Sequence, residues 1–146
     1  SFEHFPDPQL AFSNLWDVLK PGGVMHLAFN PLYGSAWGLH AFGTLFVPYA
    51  QFLFSPAFLG ERLRELGIKD LARSMEELQH LNQWKPQQFR DLWTDLPDGE
   101  VEKVKEQITD DHLNLIERYP DAFQGRGLVL EDVRVSGFAV WIRKSL

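Results

Sequence analysis

Five residues, Leu19-Lys20-Pro21-Gly22-Gly23, separate two hydrophobic periods that no single element can satisfy. Before them, Ala11, Phe12, Leu15, Trp16 and Leu19 recur at spacings of three and four, the period of a helix with one buried face. After them, Val24-Met25-His26-Leu27-Ala28-Phe29 is too short for a core helix and is apolar on both faces. It reads as an interior strand, expected to be parallel. Asp7 suits the helix cap and Pro8 its first turn. Pro21 and the two glycines stop that helix, and Asn30-Pro31 ends the strand.

Further along, residues 31–54 mix glycine, proline and aromatics without a clean period and read as short helices forming a cap. Ser55-Pro56 opens a helix with Phe58, Leu59, Leu63 and Leu66 inward and Gly67 as its stop. Another helix is expected from Ser74 towards Leu81. Pro86 starts one more, with Phe89, Leu92, Trp93 and Leu96 on one face. Pro97-Asp98-Gly99 is a turn. Glu100 to Ile108 fits either a helix, through Val101, Val104 and Ile108, or a polar edge strand. Asp110 to Tyr119 reads as helical, ended by Pro120, and Ser136 to Arg143 as a buried strand. The alternation of elements makes an α/β pattern.

Composition narrows the function classes. A net charge of −6, with no basic run, argues against nucleic acid as a partner. No cysteine is present, which excludes disulfides, thiolate catalysis and cysteine-ligated zinc and fits a cytoplasmic protein. Leu39 to Phe54 is the most apolar stretch, yet His40, Pro48 and Gln51 interrupt it and it falls short of the ~20 residues that cross a bilayer. No two histidines have the i, i+4 spacing of a helical zinc site, so no metal site is expected. His26 is expected to be a hydrogen-bonded core residue, and His80 and His112 to be solvated. Glu76-Glu77 and Asp110-Asp111 make no calcium loop.

Ser1-Phe2-Glu3-His4-Phe5-Pro6-Asp7-Pro8, a helix, Leu19-Lys20-Pro21-Gly22-Gly23 and then a strand together resemble the second half of a class I S-adenosylmethionine-dependent methyltransferase, of the small-molecule, methyltransferase domain 11 type. The likeness covers residues 1–30 well, and 80–108 and 128–144 loosely. The 31–79 segment matches only a subset of the family, through Asn30-Pro31-Leu32-Tyr33 and Val47-Pro48-Tyr49. The resemblance implies the carboxyl-terminal half of a Rossmann-like fold: one partial domain over 1–146, about three strands with the last antiparallel, and a helical cap over 31–79. It makes 100–107 a strand and orders the strands in space as 24–29, 137–143, 100–107. The family's glycine-rich cofactor loop would lie upstream, so this stretch alone is expected to be inactive and to bind S-adenosylmethionine weakly or not at all. The 24–29 strand would then have a bare edge that recruits a second copy or a covering helix.

The same resemblance assigns sites. Ser1, Phe2 and Glu3 would border the cofactor, and His4 would stand near the transfer point as a proton acceptor. The alternative reading of Glu3-His4 is a polar pair that holds a loop, because methyl transfer often needs only positioning. Asn30, Tyr33, Trp37 and His40 follow the strand and would bind a small, apolar methyl acceptor; alternatively, they only seat the cap on the core. A competing reading makes the chain a non-catalytic module that meets a protein or a membrane surface through its aromatic 31–54 region.

Overall fold

A computed structural model describes residues 2–67 and 82–146. Ser1, His80, Glu76, Glu77 and the helix expected from Ser74 to Leu81 lie outside the described residues. The fold is α/β: a three-stranded open antiparallel sheet with helices on one face.

Helix α1 spans Pro8–Val18. The Asp7 carboxylate accepts from the Leu10 amide at 3.0 Å, the expected cap. Phe12 and Trp16 are buried and stack their rings at 6.2 Å, with Leu19 in line below them. Leu15, expected inward, is exposed, because it lies off the edge of that stripe. Gly22, at φ 75°, turns the chain and donates to Lys144 O at 2.9 Å, tying the turn to the last strand.

Strand β1 is Val24–Phe29, β2 is Gly99–Ile108 and β3 is Val135–Lys144. Their order is β1-β3-β2, the order expected. β1 differs from its reading as a parallel interior strand. It pairs antiparallel with β3 and, among the described residues, has no strand on its other side. Its burial alternates: Met25, Leu27 and Phe29 face the core, while Val24, His26 and Ala28 face outward. The physical reason is that α1 and α4 (Pro86–Thr94) cover one face of the sheet, so only every second residue is sheltered. His26 therefore leaves the core and stacks on Trp141 at 4.3 Å, with Lys103 over the same indole. β2 is an exposed, charge-rich edge, a pattern that discourages pairing with other chains.

The core under the sheet joins Phe12, Trp16, Phe29, Phe89, Trp93, Phe138, Val140 and Ile142. Phe89, Leu92 and Trp93 of α4 are buried as their spacing predicts, and Leu96 packs just beyond the helix. Phe2 joins this core through a tilted contact with Phe29, and the exposed Phe5 meets it edge to face.

The segment from 31 to 54 is built of turns, with one short helix, α2 (Ala50–Leu53), rather than several. Specific bonds hold it. The buried Tyr49 hydroxyl donates to Val133 O at 2.9 Å, and Gln51 Nε2 donates to Tyr33 O and Ser35 O at 2.7 and 2.9 Å. Gly38 is required here, since a Cβ would lie 2.0 Å from Tyr33 O. Helix α3 (Pro56–Leu66) starts at Ser55, as expected, and buries Leu59 and Leu63. Phe58 and Leu66, expected inward, are exposed, because α3 buries only the narrow Leu59–Gly60–Leu63 stripe. The helix expected from Asp110 to Tyr119 shrinks to α5 (Asn114–Arg118). Pro120, expected only to end it, also takes the first position of α6 (Pro120–Phe123). α7 (Leu130–Arg134) leads into β3.

Candidate functional site

Residues Phe2–His4 form a 3₁₀ turn just before α1. Asn82 pins this turn from a distant part of the chain. Its side chain donates to Phe2 O at 2.6 Å and Phe5 O at 2.8 Å, and its amide donates to Glu3 O at 3.0 Å. The turn's backbone is thus fixed from outside.

Glu3 is 4% exposed and His4 is open to solvent. Glu3 Oε1 lies 3.6 Å from His4 Nε2, beyond hydrogen-bond range. Glu3 Oε2 is buried with no hydrogen-bond partner among the described residues. Burial pushes the Glu3 carboxyl above the usual carboxylate range and the His4 imidazole below its ordinary value. Both shifts favour the neutral forms and so weaken ion pairing between the two groups.

His40 comes from the loop after β1. It sits in the left-handed region at φ 59°, and its Nε2 lies 2.6 Å from Pro31 O. Its ring meets that of His4 edge to face, with centroids 4.8 Å apart. Glu3, His4 and His40 each bring one ligand-type atom into a group whose members lie within 4.8 Å of one another.

A groove of about 350 Å³ opens beside Pro31, lined by Asn30, Trp37, Phe42, Phe46, Gln107 and Thr109, among others. Asn30 Nδ2 donates to Gln107 Oε1 at 2.8 Å, which ties the end of β1 to β2. Trp37 stacks on Phe46 at 4.8 Å and receives His112 against its edge at 5.4 Å.

Of the four residues expected at an acceptor pocket, Asn30 and Trp37 share this groove. His40 turns towards His4 instead, and Tyr33 packs edge-on against Phe52 in the cap, its hydroxyl pKa raised by burial. Phe2, expected at the cofactor, lies in the core, and Ser1 lies outside the described residues.

Sequence reasoning missed Asn82, Gln107, Phe42 and Phe46. It also missed a larger apolar cavity of about 570 Å³, lined by residues such as Leu53, Phe54, Leu115 and Tyr119. For Asn82 the signal was absent, because its partners stand at the other end of the sequence. For Phe42 and Phe46 it was present as an aromatic spacing four apart next to Trp37.

Comparison of the chain with protein-family models, with curated proteins and with solved structures returns no match. Among the described residues, no helix is long and apolar enough to cross a membrane.

Proposed function

We propose that this chain is the carboxyl-terminal portion of a class I S-adenosylmethionine-dependent methyltransferase acting on a small, apolar molecule. The observation that carries this reading is the meeting of His4 and His40 beside the groove of Asn30 and Trp37. In that enzyme class the segment matching Glu3-His4 borders the donor, and the loop after the next strand borders the acceptor. Their contact here supports such an arrangement. The β1-β3-β2 order, with an antiparallel middle strand, supports the same reading, as it is the order such a Rossmann-like sheet has at this edge.

The residues present do not fit a whole donor site. Phe2 is spent in the core, Glu3 leaves a buried oxygen without a partner among the described residues, and residues 1–146 contain no Gly-x-Gly-x-Gly turn. The chain's own share is therefore acceptor chemistry. Trp37 offers an apolar face to the acceptor, and Asn30, held by Gln107, offers a polar edge. His4 takes the proton that the acceptor releases.

Two measurements test this. Titration of S-adenosylmethionine into residues 1–146 should show weak binding or none, and low-micromolar affinity in a monomer would overturn the assignment of the donor half to other residues. In an enzyme that joins this segment to its donor half, Trp37→Ala should raise the acceptor KM while donor affinity stays nearly unchanged. His4→Ala should lower kcat instead. Equal losses for donor and acceptor in Trp37→Ala would reduce Trp37 to a support of the fold.

One observation favours a second reading, a module that binds a protein or a lipid surface. Phe46 is 76% exposed and Phe42 is 53% exposed, side by side with Trp37. Sedimentation with anionic vesicles, lost in Phe46→Ser, would move the assignment to that reading.

A further inference from the structure

We propose that the cavity bounded by α2, α5 and α6 is a binding site for a single-chain amphipathic carboxylate, its apolar tail inside and its carboxylate on Arg118. The proposal goes beyond the methyltransferase reading and does not rest on it, because this cavity shares no lining residue with the acceptor groove.

At about 570 Å³ the cavity is larger than the groove and has the ordinary size of a small-molecule site. Its walls come from four stretches of chain. Val47 enters from the loop, Leu53 and Phe54 from the end of α2, Leu115 from α5 and Ala122 from α6. Leu53, Leu115 and Ala122 pack on the cluster around Tyr49 but are only partly buried, so each leaves apolar surface to water. An apolar tail laid against them would remove that surface from water, which is the main driving force for such binding.

The polar groups select the head. Pro120 starts α6 directly after Tyr119, and this corner brings Arg118, Tyr119 and Asp121 to the same cavity, all three exposed. The Arg118 guanidinium lies over the Tyr119 ring, 5.6 Å from its centroid. Among the described residues no carboxylate or carbonyl bonds it. A ring on one face leaves the N–H edge of the fork to donate, and that edge matches a carboxylate with two parallel bonds.

Asp121 is the competing charge. It stands in the first turn of α6, where the helix end itself favours a carboxylate. A cationic head would find Asp121 but would also meet Arg118, whose fork is already oriented by Tyr119 and costs less to order. An anion therefore gains at Arg118 and is repelled by Asp121, and the two residues carry opposite expectations.

The test is calorimetry with laurate, kept below its micelle concentration. Laurate should bind saturably, one per chain, and raise the melting temperature. Arg118→Gln, at an exposed position, should keep the ligand-free melting temperature and weaken laurate at least about tenfold, the lower end of what a charged hydrogen bond is worth. Asp121→Asn should tighten it. Ala122→Phe, which fills the cavity, should abolish it. Phe42→Ser, in the acceptor groove, should leave it unchanged. Dodecanol should bind more weakly than laurate and be indifferent to Arg118→Gln. No saturable binding, laurate affinity unmoved by Arg118→Gln, loss in Phe42→Ser, or dodecylammonium bound as tightly as laurate would each overturn the proposal. None of these outcomes involves S-adenosylmethionine, so failure here and failure of the methyltransferase reading are separate results.

Discussion

The sheet with its two covering helices and the loop region from 31 to 54 both bury large aromatic side chains, yet they do so by different means. Under the sheet, fourteen buried residues from several elements form one cluster, and each element contributes by its own period. Among the described residues, Ala36, Tyr49 and Phe52 of the loop region form a separate cluster with Phe123 and Val133 from later in the chain, and Ala41 pairs with Leu63 of α3 in a third. There, individual polar bonds decide the path: Tyr49 to Val133 O, and Gln51 to two carbonyls of its own loop. The lesson is one of reach. Loss of a side chain from the shared core weakens every element that packs on it, whereas a loop fixed by single bonds changes shape locally when one is removed.

The largest expected effect lies in the sheet. Ile142 is fully buried and its loss leaves a cavity, so Ile142→Ala should cost about 2–5 kcal/mol. A urea denaturation series checks this. The lowered midpoint should come with protection lost evenly across β1, β2 and β3.

A smaller but more local effect is expected in the loop region. Burial, followed by the nearby Asp110 charge, pushes the Tyr49 hydroxyl up to about 12, so it remains a donor at ordinary pH. Tyr49→Phe leaves Val133 O without that donor, a cost of about 1–3 kcal/mol. Hydrogen exchange should quicken through 31–54 while the strand amides stay protected. Uniform quickening in both regions would erase the contrast drawn above.

The smallest effect concerns the two-toothed contact of Arg134 with Asp110, at 2.7 and 2.9 Å, where the last helix meets β3. That contact lowers the Asp110 pKa, so its contribution is present above the ordinary carboxylate pKa and fades as pH falls through the lowered folded value. Asp110→Asn should shift the urea midpoint slightly at neutral pH and not at all in strong acid. An equal shift at both pH values would mean that charge has no part in it.

This contrast explains what was legible in the sequence. The α1 cap, the turn at Gly22, the buried face of α4 and the strand order followed from local chemistry together with a family resemblance. The handling of β1 failed for a physical reason. Val24 and Ala28 are apolar but small, so the strand looks buried on both faces while one is open. At the candidate site, Asn30 and Trp37 could be named because they follow a strand end. The approach of His4 to His40 could not, since it depends on how a turn pinned by Asn82 meets a loop in a left-handed conformation. Pairings of that kind have no period to betray them.

The middle position of β3 has a consequence for how the chain reaches its folded state. β1 and β2 are made first, yet neither contacts the other as a strand; both wait for β3, which pairs Val24 with Arg143 on one side and Gly99 with Lys144 on the other. Among the described residues, no ladder can close until β3 is made, and the β1–β3 pairing closes a far longer loop than the β2–β3 pairing. Such non-local topology slows folding and prolongs exposure of unpaired strands. During that interval Met25, Leu27 and Phe29 are uncovered, and a chaperone that shields them would raise the yield of folded protein without touching its final stability.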